Sequence, residues 1–173
     1  ASLLALARFS EAFLILRGAQ LGLADAHVPL VLVAMSVVYA LSSWPSGSFS
    51  DRYGRRALFV VGVLVLVIAD GVLALATGPV GVFAGAALWG LHLGMTQGVL
   101  SAMIVDASGA QRRGTAFGVY GLASGVGLLV ASVVAGAVWD GWGGHSTFAL
   151  GGVLAALTLA AAILWMPRNR DMP

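Results

Sequence analysis

The chain has 173 residues, of which 60% are hydrophobic and only 9% charged, against about 25% charged in soluble domains. That balance, with a mean hydropathy of +0.97, excludes an ordinary soluble fold and points to a bilayer. The isoelectric point near 9.7 reflects a net charge of only +2, and the arginines sit mostly at the ends of apolar runs, so a nucleic-acid-binding face is excluded; with no cysteine, disulfides and thiolate metal sites are excluded too.

Crossing a bilayer takes roughly 20 helical residues, and six runs are long enough: about 1–23, 27–46, 57–77, 81–105, 114–138 and 146–166. No run alternates polar and apolar residues as a barrel strand would. The expected fold is therefore all-α, a single six-helix transmembrane bundle. Ala1 is not methionine and no charged segment precedes the first apolar run, so the start reads as a truncated or processed end. The first run carries Arg8, Glu11 and Arg17. Arg8 and Glu11, three residues apart, are expected to share a helix face, while Arg17 is expected to snorkel to the interface.

Between the second and third runs lies the most polar stretch, Gly47-Ser-Phe-Ser-Asp51-Arg52-Tyr-Gly54-Arg55-Arg56, read as a loop of ten residues. The third run holds a lone Asp70, expected to make a structural hydrogen bond. The fourth run has a small-residue ridge, Gly90, Gly94 and Gly98, suited to close packing, with His92 turned away from it and Gln97 as a neutral polar group. Asp106 closes that run, and Arg112 and Arg113 precede the fifth, which contains Gly121-x-x-x-Gly125. Arg52, Arg55, Arg56, Arg112, Arg113, Arg168 and Arg170 all fall on one side of this arrangement, and the three loops on the other side carry no arginine. Positive charge marks the cytoplasmic face, so both termini are expected there. The spacing Gly47-x-x-x-Asp51-x-x-Gly54 recurs as Gly136-x-x-x-Asp140-x-x-Gly143 on the opposite face, as an inverted three-plus-three repeat would leave it.

The Gly-x-x-x-Asp-Arg-x-Gly-Arg-Arg stretch resembles motif A of the major facilitator superfamily, the signature cytoplasmic loop of those transporters. The Asp106-to-Gly118 junction and the Arg8–Arg17 segment resemble the tenth-to-eleventh and the seventh helices of bacterial members. The resemblance implies the C-terminal six-helix half of a transporter in a plasma or inner membrane, without cofactor or metal. Its partners would be lipid, a small solute, and a missing N-terminal half or a second copy. Gly47, Asp51, Arg52, Gly54, Arg55, Arg56 and Asp106 would form a conformational latch, with Arg55 bridging Asp51 and Asp106 while Arg52 and Arg56 stay more exposed.

A charge inside the bilayer costs about 2.5–3.5 kcal/mol on insertion scales, so each has a partner or a task. Arg8 and Glu11 either form a packing ion pair, or Glu11 exchanges a proton beside Arg8; the family's cavity-lining seventh and tenth helices incline the reading to the second. His92 either binds solute or a proton, or bonds a neighbouring helix. The expected function is secondary transport by alternating access, as proton-coupled efflux, with a half-size scaffolding subunit as the alternative. An enzyme is not expected: without lysine there is no phosphate-binding Gly-Lys loop, and Ser42-Ser43 lack a partner base.

Overall fold

A computed structural model describes residues 2–166, which leaves Arg168 and Arg170 outside the described residues. The fold is all-α: α1 (Ser2–Ala7), α2 (Ala12–Gln20), α3 (Leu30–Tyr53), α4 (Arg55–Leu75), α5 (Pro79–Ala107), a 3-10 turn (Ala110–Arg112) and α6 (Arg113–Trp165). Four of these, α3 to α6, are long and apolar enough to cross a membrane. α5 is the central helix, packed on α3 and α4, while α4 and α1 pack against α6.

Three boundaries differ from the sequence reading. The first apolar run is not one helix: α1 and α2 are separated at Arg8–Glu11, so Arg8 and Glu11 do not share a helix face. The polar stretch at 47–56 is not a loop either. α3 continues through Asp51 to Tyr53 and α4 starts at Arg55, with Gly54 as the whole connection. Polar residues end a hydrophobic run without ending a helix, because outside the hydrocarbon the backbone bonds persist. What ends α3 is the backbone at Gly54, whose φ of 89° favours glycine.

The third difference is at Asp140–His145, expected as a loop and helical except for Gly143, with φ 79° and ψ 176°. α6 doubles back there. The Thr147 hydroxyl donates to the Ala135 carbonyl at 3.4 Å, whereas twelve residues of straight helix would span roughly 18 Å. Residues 113–142 and 144–165 therefore form two arms of a hairpin.

Close approach of helices rests on glycine. A Cβ on Gly90 would overlap the Met35 carbonyl of α3, and one on Gly94 would overlap the Ser42 hydroxyl, whereas Gly98 faces open space. Gly121 and Gly125 also face open space, so their GxxxG spacing packs no helix within the described residues.

The end of α4 is held by a group expected at the interface. Arg17 is buried, at 5% exposure, and its guanidinium donates to the carbonyls of Leu73 (3.0 Å), Ala74 (3.1 Å) and Ala76 (3.0 Å) and to Gln20 Oε1 (2.8 Å). The last carbonyls of a helix lack intrahelical partners and carry the negative end of its dipole, so a planar cation with several donors satisfies both needs. His145 Nδ1 lies 2.8 Å from the same Ala74 carbonyl. At the opposite end, Arg56 donates to Ile163 in the last turn of α6 at 2.6 Å, a bond that lies exposed. Arg52 remains exposed, its guanidinium carbon 5.4 Å from the Tyr53 ring centre.

Two outcomes are expected in unfolding measurements on the purified protein in mixed micelles. Gly90→Ala, forced against main chain, loses about 1–3 kcal/mol, whereas Gly98→Ala is neutral or slightly stabilising. Arg17→Lys, which keeps the charge but not the fork of donors, loses about 1.5–3 kcal/mol.

Candidate functional site

The break between α1 and α2 contains no glycine or proline and is sustained from outside. Ser10 N–H donates to the Ser132 hydroxyl of α6 at 3.1 Å, and Ser10 Oγ accepts from Ala12 N–H at 3.3 Å, where α2 begins. Inside a bilayer an interrupted helix persists only where such groups take up the freed backbone. Phe9 anchors the break: its ring centre lies 5.2 Å from Phe13, 5.5 Å from Trp89 and 5.4 Å from Phe148, all edge-on or nearly so. Its polar neighbours Arg8, Ser10 and Glu11 share one wall with the edge of that ring.

That wall bounds a cavity of about 450 Å³ whose lining includes Arg8, Ser10, Glu11, Gln97, Tyr120 and Ser124. The break supplies the cation and the carboxylate, α5 the amide, and α6 two hydroxyls one turn apart. Among the described residues neither Arg8 nor Glu11 forms an ion pair, so both charged heads are available to the cavity. This set can hold a small solute with apolar surface and a few hydrogen-bonding or charged groups. Tyr120 and Ser124 escaped the sequence reading; their spacing of four on one helix face was the available signal.

A second cavity, of about 320 Å³, runs between α3 and α5 and is lined by Ser43, Ser46, Ser50, Asp51, Arg55, Gly94 and Gln97 among others. Gln97 lines both cavities and so stands between the first cavity and the arginine-rich end.

At that end the expected three-residue relay is present in part. Arg55 forms an ion pair with Asp106 and donates to the Ala102 carbonyl at 3.0 Å, tying the start of α4 to the end of α5. Asp51 lines the same cavity as Arg55 but forms no ion pair among the described residues. Gly47 lies on α3 with open space around it, and Gly54 is the turn itself.

His92 stands apart from both cavities. It is fully buried (0% exposed), with Nδ1 2.7 Å from the Gly62 carbonyl of α4, while Thr96 Oγ1 donates to the His92 carbonyl. Of its two readings, the geometry is that of the bond to a neighbouring helix. Asp70, expected to make such a bond, makes none: both carboxyl oxygens are buried without a partner. The two glycines that close the repeated Gly-x-x-x-Asp-x-x-Gly spacing, Gly54 and Gly143, are both positive-φ turning points. The offset from Gly54 to Gly143 also relates Arg56 to His145 and Ala74 to Ile163, the partners of the reciprocal end contacts.

The family model described as Major Facilitator Superfamily matches residues 2–173. An uncharacterized protein of Mycobacterium tuberculosis is 32% identical over 120 residues, covering 69% of this chain and 28% of that protein. An uncharacterized MFS-type transporter of Methanocaldococcus jannaschii is 29% identical over 159 residues, covering 88% and 40%. The inner membrane transport protein YajR of Escherichia coli is 26% identical over 148 residues, covering 86% and 32%. The chain thus spans well under half the length of these relatives.

The chain lacks native cysteine, so single thiols report cavity access directly. Gln97→Cys is expected to react with a charged, membrane-impermeant thiol reagent, and His92→Cys to stay unreactive, with labelling read by mass.

Proposed function

The chain belongs to the major facilitator superfamily, and on that premise we propose that it forms a six-span half of a secondary transporter that moves a small solute by alternating access. The observation that carries the reading is the shared cavity of Arg8, Glu11, Gln97, Tyr120 and Ser124, set among membrane-spanning helices. The six crossings are the α1–α2 pair, α3, α4, α5 and the two arms of α6. The matched glycine turns and reciprocal end contacts support an inverted repeat of three crossings. With the arginine-rich end cytoplasmic, as positive charge dictates, both termini of this half are placed on the cytoplasmic side of a cell or inner membrane.

The cavity opens on one side of the half. A second six-helix half, from the same polypeptide, a separate one or a second copy, completes the site. The Arg55–Asp106 pair acts as a latch at the cytoplasmic end, with Asp51 alongside it. An Arg–carboxylate pair that breaks and reforms suits a contact made in one conformation only. Glu11 is the coupling carboxylate: it lines the cavity, it forms no direct ion pair among the described residues, and a proton is its simplest exchangeable ligand. The cycle we propose exports the solute in exchange for protons. A scaffolding subunit without transport would leave a polar cavity with no role.

In proteoliposomes holding the complete transporter, Glu11→Gln is expected to abolish proton-driven solute flux while leaving expression and thermal unfolding nearly unchanged. Flux that keeps its pH dependence in that variant removes Glu11 from the coupling role.

A further inference from the structure

The buried stripe of α4 runs Phe59, Gly62, Leu66, Asp70 and Leu73, spacings of three and four in which every member but one is apolar or glycine. Asp70 stands where a leucine would pack, at 0% exposure, and neither of its carboxyl oxygens has a hydrogen-bond partner. Packing across it is tight. A Cβ on Gly151 of the second α6 arm would meet Asp70 Oδ2 at 2.9 Å and Phe9 Cε1 at 2.7 Å, and one on Gly152 would meet Asp70 Cβ at 3.5 Å.

Among the described residues no charge is paired with this carboxyl. Arg17 on α2 is committed to the carbonyls of Leu73, Ala74 and Ala76, and His145 on α6 to that of Ala74. His92 on α5 meets the Gly62 carbonyl through Nδ1, while its Nε2 is buried without a partner and so brings no bond to the carboxyl. Arg8 and Glu11, from the break, line the cavity on the other side of Phe9. An ionised carboxylate with neither water nor partner is not sustained in such surroundings, so the group is carried as the neutral acid.

Phe9 closes the way to it. The ring takes part in the cavity wall and in the contact around Gly151, so it stands between Glu11's cavity and Asp70. It also belongs to the break at residues 8–11, where the backbone lacks helical bonds to hold it. We propose that Asp70 is a second proton-binding carboxyl, separated from the cavity by the Phe9 ring and reached when the break bends and that ring swings aside. This deepens the proton-coupled reading of the cavity and rests on it: Glu11 meets the proton first, and Asp70 stores it out of contact with water.

The test is carboxyl chemistry, independent of transport. Dicyclohexylcarbodiimide, an apolar reagent, takes the proton of a neutral acid on one nitrogen while the carboxyl oxygen bonds to its central carbon. The adduct rearranges to a stable N-acylurea with nothing lost, so its mass locates the modified residue. With the full transporter in detergent micelles at neutral pH, Asp70 is expected to be labelled slowly in the wild type and several-fold faster in Phe9→Ala. Exposed Asp25 and Asp140 should remain unlabelled. Phe9→Leu serves as the milder variant where Phe9→Ala does not fold. Asp70 unlabelled in the wild type and in the Phe9 variant overturns the proton site, and equal labelling rates overturn the Phe9 barrier. Glu11→Gln flux measurements fail or succeed separately from either result.

Discussion

A chain in hydrocarbon has no water with which to satisfy the ends of its helices, and the Arg17 guanidinium answers that constraint at the end of α4. One cation occupies three carbonyls around the end of α4. It needs no carboxylate, because the helix terminus itself presents partial negative charge. The arrangement links α2 to α4, and Gln20 on α2 accepts a further bond from the same guanidinium. With α2 held there, the unwound residues just before it have a fixed end, and the cavity they line has a defined wall.

Sequence pattern made the class, the long apolar segments and the family resemblance legible, since bilayer thickness and the cost of buried charge act on composition directly. Gly54 and Gly143 were legible as members of a repeated spacing, although the turn they make is a single residue rather than a loop. The break at residues 8–11 was not legible. Its support comes from Ser132, 122 residues beyond Ser10, and from aromatic rings on two other helices. Tertiary contacts of that kind leave no local trace when no glycine or proline marks the site.

The polar residues divide in the same way. Arg55 and Asp106, two of the three residues of the expected relay, are brought together by adjacent helix ends. Arg17 and His92 were recognisable as buried polar groups, but their partners are backbone carbonyls, which every residue possesses and no pattern singles out. Gln97 gained weight from position alone, as the one predicted site residue lining both cavities.

The contacts at the two ends of α4 also define what in this molecule stays still. Arg56 to Ile163 and His145 to Ala74 join α4 and the second α6 arm at both extremities, in opposite senses. Eighteen residues of helix separate the members on each strand of the pair, roughly 27 Å. Sliding one helix past the other by a single turn would break both contacts at once, and splaying either end would break one. The two helices therefore behave as a strut of fixed register, and α2, joined to the same end of α4 through Arg17, is held with them.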